Sequence, residues 1–268
     1  MPSIDENVTA WGESYDWLKD GDEWSAAWGG VIYQWFGVIY PRIHQYLAGG
    51  TILEIAPGHG RWTKFLASQG QYYIGVDVSE SCVAVCRDRF RMLGNVEFHV
   101  NDGRSLDCVA DGAVDFVFSF DSLVHAEADA IGNYIGAMAK KLGPNGVAFI
   151  HHSNLAAYPL QGRLSAIPKL RGILRMAKIL EPSLHWRAPT MDAVKLVELC
   201  GDSGLCCTSQ ELINWGDSRG LIDCFSVITR LDSIWARKYR LLRNDRFMRD
   251  AQTFKMIADV YGFHGPGS

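Results

Sequence analysis

The sequence lacks the features that mark membrane proteins and general nucleic-acid binders. No run reaches the roughly 18 consecutive apolar residues that a membrane-spanning helix requires. Lysine and arginine total 26 against 30 acidic residues, and the formal net charge of −4 lacks the basic surplus expected of a nucleic-acid binder. Residues 1–17 are acidic and have no apolar signal-peptide core, which predicts a cytoplasmic protein.

Cysteine usage excludes a disulfide framework. The seven cysteines contain no pair of C-x-x-C motifs, and an odd number cannot all pair within one chain. We therefore expect buried, reduced thiols and no zinc site. With 268 residues, 48% of them hydrophobic, the chain is long enough for one large α/β domain with additional segments.

The most informative stretch runs from Thr51 to Asp77. An apolar run over residues 51–56, with a single acid in it, predicts a buried parallel strand. Residues 57–60, Pro-Gly-His-Gly, then form a turn whose glycines permit backbone angles and close approaches that a Cβ would forbid. A helical pattern and a second apolar run follow, ending in the acid. This order is typical of a nucleotide-binding unit, in which that acid accepts hydrogen bonds from ribose hydroxyls.

Two ligands are compatible with such a unit. A dinucleotide would require the spacing G-x-G-x-x-G for its pyrophosphate, but Thr63 holds the third glycine position. Adenosylmethionine has no phosphate, and its cationic sulfonium suits an acid beside the loop, which Glu54 supplies. The stretch resembles motif I of the class I adenosylmethionine-dependent methyltransferases, matched at Glu54, Ala56, Gly58 and Gly60 with alanine in place of the first glycine. The resemblance favours a methyltransferase over a nicotinamide enzyme.

The resemblance implies an α/β fold with a seven-stranded, mostly parallel, Rossmann-like sheet and helices on both faces. Periodicity predicts strands at residues 51–56, 72–76, 96–100, 114–120, 147–150, 205–213 and 221–229. We predict a tryptophan-rich helical lid at 1–50, the methyltransferase domain at 51–230 and a polar tail with one helix at 231–268. A basic helical insertion is expected at 155–189.

Cofactor-binding positions follow from the resemblance at the ends of the predicted strands. Asp77 and Val78 end the second strand, where the acid would bind the ribose. Asp102 follows the third strand and would bond the adenine amino group beside the backbone of Gly103; a plain turn, which these residues also favour, is the less favoured alternative. Phe120, at the end of the fourth strand, would line the adenine.

The chemistry of an alcohol acceptor calls for a base, because a free alkoxide is too costly to form at neutral pH, and histidine suits this role. His151 and His152 end the fifth strand, where alternation turns their side chains to opposite faces. The residues do not decide between them; we favour His152 slightly, with a histidine bonded within a loop as the alternative. Asp121 would face the reaction. No metal site is predicted, since magnesium prefers oxygen ligands to these histidines.

The acceptor is inferred from a wider resemblance to bacterial methyltransferases of glycan and natural-product biosynthesis. It rests on the Trp-Gly-Gly leader, Glu-Ile-Ala-Pro-Gly-x-Gly, Phe-Asp-Ser-Leu-Val-His and Ile-His-His-Ser-Asn. It implies a sugar hydroxyl as the acceptor. His125, Arg163, Trp186 and Arg187 are the candidate acceptor-binding residues, and for His125 a structural role is favoured over a catalytic one. The basic insertion would suit an anionic acceptor or a membrane surface, and a solvated helix face is the alternative.

The predicted function is therefore an adenosylmethionine-dependent O-methyltransferase of a sugar, glycan or related natural product. Two alternatives stay open. One is an N- or C-methyltransferase, which needs less help from a base. The other is a non-catalytic, adenosylmethionine-binding partner subunit. No nucleic-acid partner is expected, and a homo-oligomer is compatible with the sequence.

Overall fold

The computed structural model describes residues 4–47, 49–159, 186–216 and 220–262. Within these ranges the chain forms a single sheet of eight strands in the order β3-β2-β1-β4-β5-β7-β6-β8. The strands are β1 Thr51–Ile55, β2 Tyr72–Asp77, β3 Val96–Val100, β4 Val114–Ser119, β5 Leu142–Ser153, β6 Leu205–Ile213, β7 Asp223–Arg230 and β8 Arg240–Asn244. β7 runs antiparallel to β5 and β6, and the other neighbours are parallel.

All seven predicted strands are present, and the last of them, β7, is the antiparallel one in a mostly parallel sheet. The predicted number is one too low, because the region interpreted as a polar tail contributes β8, which pairs in parallel with β6. Four of its five side chains are exposed. A strand without a buried face shows no apolar alternation, so periodicity could not reveal it.

The described residues form eight α-helices, and glycines or capping side chains set the limits of several of them. They are α1 Ile4–Val8, α2 Val31–Gln34, α3 Tyr40–Ile43, α4 Thr63–Leu66, α5 Glu80–Arg89, α6 Ala128–Lys141, α7 Ala193–Asp202 and α8 Phe247–Tyr261. The predicted helical lid is divided into short helices, since Gly29 and Gly30 have φ of 82° and 120°. Ser79 caps α5 and Asp192 caps α7, each with a side-chain oxygen that accepts a backbone N–H of the first turn.

The sheet separates two apolar cores because strand side chains alternate between its faces. One core contains Ile52, Phe118 and Phe149 together with aromatic residues of the N-terminal segment and α8. The other contains Leu53, Val117 and Ile150, covered by α6 and α7. Helices on both faces therefore leave the ends of the strands as the accessible edges of the sheet.

In the described ranges, no helix is both long and apolar enough to cross a membrane. The predicted insertion is described only at its two ends, and Arg163 lies outside the described residues.

Candidate functional site

The carboxyl ends of β1, β2, β3 and β4 border one cavity of about 950 Å³. Ligands of open α/β sheets bind outside the carboxyl ends of the strands, so this is the expected place for a site. The N-terminal segment lies across the cavity and contributes four of the seven tryptophan rings that line it among the described residues. These rings belong to Trp11, Trp17, Trp24, Trp28, Trp62, Trp186 and Trp215.

The turn after β1 requires its glycines for different reasons. Gly58 lines the cavity with φ of 58°, and a Cβ there would lie 2.6 Å from the ring of Trp17. Gly60 has φ of 84° and packs against Phe90, where a Cβ would lie 2.4 Å from the ring; it is not part of the cavity wall. Ala56 also lines the cavity and has φ of 57°. A positive φ is strained for a residue with a Cβ, so alanine at this position is less favourable than glycine would be.

Asp77 lies at the end of β2, as predicted, and its carboxylate braces the turn. Oδ2 accepts a hydrogen bond from the Gly58 N–H at 3.0 Å, and Oδ1 accepts one from the Ser79 N–H at 2.9 Å. Burial raises the pKa of Asp77 above its usual value. Each carboxylate oxygen has a second acceptor site, so the group retains capacity for ribose hydroxyls. Val78 lines the same wall.

Asp102 and Gly103 border the cavity after β3, but their local geometry is also the plain turn. Oδ1 of Asp102 accepts hydrogen bonds from the N–H groups of Ser105 at 2.6 Å and Arg104 at 2.9 Å. These bonds lower the pKa of Asp102. Gly103 closes the turn with φ of 75°. The cavity wall therefore includes both residues, with Oδ1 already engaged in the turn.

Glu54 does not line the cavity, which contradicts its predicted place beside the ligand. It is 2% exposed and accepts hydrogen bonds from the hydroxyls of Tyr73 at 2.5 Å and Thr63 at 2.8 Å. Burial raises its pKa to about 7. Alternation along β1 turns Glu54 to the face of Ile52, into the core below the turn. The acid therefore joins β1, β2 and the start of α4.

The predicted base His152 is also buried in the sheet. Its Nδ1 lies 2.8 Å from the carbonyl oxygen of Ser153, and its Nε2 lies 2.8 Å from the hydroxyl of Ser226. Because a carbonyl only accepts, Nδ1 carries the proton. Burial lowers the pKa of His152 to about 4. The neutral ring cross-links β5 to β7 and does not line the cavity, so the structure contradicts the preference for this residue.

His151 points to the opposite face, as predicted, yet its ring is fully buried behind the cavity wall. Its Nδ1 accepts the backbone N–H of Asp121 at 3.1 Å, which leaves the proton on Nε2, 3.4 Å from Oδ2 of Asp223. Asp223 in turn forms a forked pair with Arg187, with distances of 3.1 and 2.8 Å. Burial alone would raise the pKa of Asp223, but the Arg187 guanidinium and the His151 ring together outweigh burial and lower it.

The end of β4 brings two predicted residues to the cavity, Phe120 and Asp121. Asp121 has φ of 66°, and its Oδ2 accepts a hydrogen bond from Nη2 of Arg61 at 3.1 Å. Arg61 is a cavity residue that the sequence reasoning missed. Arg61 follows the glycine turn directly, and this position next to the turn is the feature of the sequence that could have placed it at the cavity. Helical periodicity does not indicate which residues line a cavity.

Three candidate acceptor-binding residues, His125, Trp186 and Arg187, line the cavity together. Nδ1 of His125 lies 2.7 Å from the carbonyl oxygen of Trp186, so Nδ1 carries the proton and Nε2 the lone pair. Burial, followed by the nearby Arg187 charge, lowers the pKa of His125 to about 4. At neutral pH the ring is therefore an uncharged acceptor in the cavity wall.

Known proteins match the part of the chain that contributes the strand ends of this site. Residues 52–146 match the family model described as a methyltransferase domain. Magnesium-protoporphyrin O-methyltransferase of Rhodobacter capsulatus is 30% identical over 106 residues, which are 39% of this chain and 46% of that protein. Phosphoethanolamine N-methyltransferase 1 of Triticum aestivum is 32% identical over 108 residues, 40% of this chain and 22% of that protein. The chain thus spans less than half the length of either relative.

A solved structure extends the likeness to most of the fold. Magnesium protoporphyrin IX methyltransferase of Synechocystis PCC 6803, crystallised with bound SAH, superposes with a TM-score of 0.52 at 16% identity. The match covers 85% of this chain and 92% of that one. Residues 52–146 therefore carry a methyltransferase domain, whose cofactor is S-adenosyl-L-methionine, and the structural match shows the same fold over most of the chain. The turn at Gly58 and the free acceptor sites of Asp77 fit that cofactor.

Proposed function

We propose that this protein is an adenosylmethionine-dependent O-methyltransferase that acts on a hydroxyl of a sugar, glycan or related natural product. The supporting observation is the single cavity that joins the glycine turn and Asp77 to a tryptophan-lined wall containing a neutral histidine. Aromatic walls with a few placed polar groups are typical of small-molecule sites. Tryptophan rings suit the apolar faces of a sugar ring or of a flat metabolite.

The cofactor would be held by the strand ends. Asp77 would accept hydrogen bonds from ribose hydroxyls, Asp102 would receive the adenine amino group, and Phe120 would line the adenine ring. When bound, adenosylmethionine supplies an electrophilic methyl group, which the acceptor oxygen takes while the bonding electron pair stays on sulfur. The chain's part is then to align the acceptor and to remove its proton.

His125 is the residue that we assign to the proton. Its Nδ1–H is committed to the Trp186 carbonyl, so Nε2 is the nitrogen that can accept the acceptor's hydroxyl proton. A pKa of about 4 keeps the ring unprotonated at neutral pH. Asp121 lies just before the short helical turn that ends at His125, and would orient the acceptor through its carboxylate, which Arg61 fixes. Neither His151 nor His152 is retained as the base.

The N-terminal segment is proposed as a lid, with residues 1–50 as one unit, 51–230 as the methyltransferase domain and 231–268 as a tail. Trp17 supports this division, because its ring stacks on His59 of the glycine turn at 4.2 Å. A lid of this kind excludes water from the reaction.

N-methylation is the second candidate, favoured by the relative named phosphoethanolamine N-methyltransferase. A neutral amine already presents its lone pair and needs no base for attack. The two candidates therefore differ in their dependence on His125.

The test has two stages. Adenosylhomocysteine at a hundred times its dissociation constant should stabilise the protein by about 2.7 kcal/mol, whereas NAD should not. A tritiated-methyl assay would then compare pooled nucleotide-sugars and glycans with phosphoethanolamine and magnesium-protoporphyrin. Methylation of a hydroxyl that is lost in His125→Gln, with adenosylhomocysteine binding retained, supports the proposal. Stabilisation by NAD alone, or methylation only at nitrogen, would overturn it.

A further inference from the structure

Three buried N–H donors in the cavity wall have no hydrogen-bond acceptor among the described residues. They are Nη1 of Arg61, Nε1 of Trp28 and Nε1 of Trp62. Their side chains line the cavity although the residues are only 2–4% exposed. Buried donors are nearly always paired in folded proteins, and an unpaired one is destabilising. Three unpaired donors in side chains that line one cavity therefore indicate that an occupant must supply hydrogen-bond acceptors.

Arg61 is the charged member of this set. Its Nη2 donates to Oδ2 of Asp121 at 3.1 Å, which occupies one side of the guanidinium. Its planar group lies 4.6 Å from the ring centroid of Trp62 and 5.2 Å from that of Trp24. A guanidinium in contact with two rings and one carboxylate cannot turn freely, and its Nη1 is buried without a partner in a side chain that lines the cavity. Arginine in such a position suits the oxygens of a carboxylate or phosphate.

Ring contacts link the two tryptophans that carry the indole donors to Phe120, which also lines the cavity. The ring of Trp62 is 5.6 Å from Phe120, at the end of β4. The ring of Trp28 is 5.3 Å from Trp215, which in turn lies 6.3 Å from Phe120. An indole N–H can only donate, as can a guanidinium. A group that only accepts would satisfy all three without adding a donor that lacks a partner.

We propose that the cavity binds an anionic oxygen group, a carboxylate or a phosphate, anchored by Arg61 and supported by the N–H groups of Trp62 and Trp28. The inference rests on the proposed function, since it defines a property of the molecules that occupy the same site. Two sources share this chemistry: the amino-acid carboxylate of the cofactor, and an acidic group of the acceptor.

Calorimetry separates the two sources. Adenosylhomocysteine carries the carboxylate, whereas 5′-methylthioadenosine has the nucleoside and sulfur without it. If the cofactor is the source, Arg61→Gln should weaken adenosylhomocysteine binding by about tenfold or more and leave methylthioadenosine unchanged. If the acceptor is the source, both nucleosides should bind Arg61→Gln normally. Binding of inorganic phosphate, glucose 1-phosphate or glucuronate to the adenosylhomocysteine complex should then be lost, with neutral glucose as the reference.

A second variant separates donor loss from damage to the fold. Trp62→Phe keeps an aromatic wall but removes the indole N–H, and it should weaken the same ligand in the same direction as Arg61→Gln. Trp235→Phe is the matched control, because Trp235 packs on Tyr46 outside the cavity wall and should change neither ligand. Normal binding of adenosylhomocysteine and of all three anions to folded Arg61→Gln would overturn the inference. A failure to methylate any acceptor would count against the proposed function alone, since these measurements need no turnover.

Discussion

The backbone N–H of Asp121 donates a hydrogen bond to Nδ1 of His151 across 3.1 Å. Asp121 lines the cavity with φ of 66°, a conformation that few residues with a side chain adopt. His151 is fully buried and is itself held 3.4 Å from Asp223. Strained backbone of this kind persists only where its surroundings fix it. His151 is therefore a positioning residue that holds Asp121 at the cavity wall.

Two amide substitutions of His151 test this role. The shorter amide, asparagine, would offer its oxygen near the place of Nδ1, whereas a glutamine side chain reaches towards the place of Nε2. We expect His151→Asn to keep kcat within a few-fold, because Asp121 retains its acceptor. His151→Gln should lower kcat by about 10- to 100-fold with unchanged adenosylhomocysteine affinity, since misplacement of a reacting geometry by about 1 Å costs this much. Steady-state kcat and KM on an identified acceptor provide the measurement.

The same pair of variants examines the prediction from the sequence that His151 is a base. Equal loss of kcat in His151→Asn and His151→Gln, together with loss of a titration in the pH profile of kcat, would show direct proton transfer. It would contradict the positioning role.

A second prediction tests the proposed ribose site through Asp77, whose carboxylate also holds the glycine turn. Asp77→Ala should weaken adenosylhomocysteine binding by about 1.5–3 kcal/mol through loss of hydrogen bonds to a charged acceptor. The substitution also releases the N–H groups of Gly58 and Ser79, so a control for loop damage is needed. Ser79→Ala removes the cap of α5 but no carboxylate, and should bind the ligand normally. Calorimetry showing unchanged affinity for Asp77→Ala would reject the ribose assignment.

A substitution of Arg187 distinguishes a structural role of this residue from a role in binding the acceptor. It was predicted to contact the acceptor, yet its guanidinium forks onto the fully buried Asp223. Arg187→Met should lower the free energy of unfolding by about 3–5 kcal/mol, because it leaves a buried carboxylate without its main cation. Adding Asp223→Asn should restore part of this loss. Urea denaturation of the single and double variants measures both, and a loss below about 1 kcal/mol would assign Arg187 to the ligand instead.

Much of the site could be predicted because it depends on chain order alone. Parallel strands bring their carboxyl ends to one edge, so Asp77, Asp102, Phe120 and Asp121 meet at the cavity wherever the strands are correctly located. The glycine turn is equally local, since a Cβ at Gly58 would strike Trp17.

The wrong predictions concern side chains on strand faces that other elements cover, which the sequence pattern does not reveal. Alternation correctly separates His151 from His152, but both faces of β5 are buried by other elements, so neither ring reaches the cavity. Glu54 turns inwards for the same reason. Arg61 was missed because its partners, Asp121 and the ring of Trp24, are distant in the sequence and only the fold brings them together.

The buried acid Glu54 gives a prediction about pH. Burial raises its pKa from 4.5 to about 7 in the folded protein. The unfolded chain therefore releases this proton at lower pH than the folded one. The stabilisation from the protonated acid is fully present below pH 4.5 and is lost as pH rises through 7. Integrated over this interval, the effect amounts to about 3 kcal/mol.

Glu54→Gln isolates this effect, because the amide stays neutral and can still accept from Thr63 and Tyr73. The variant should match the wild type near pH 4.5 and exceed its free energy of unfolding by up to about 3 kcal/mol at pH 8. His125 and His152 have lowered pKa values near 4, so their neutral burial destabilises both proteins equally as pH falls below 6.5. The difference between variant and wild type cancels that contribution. Urea denaturation at pH 4.5, 6 and 8 gives this difference, and a constant value across the three would refute a protonated Glu54.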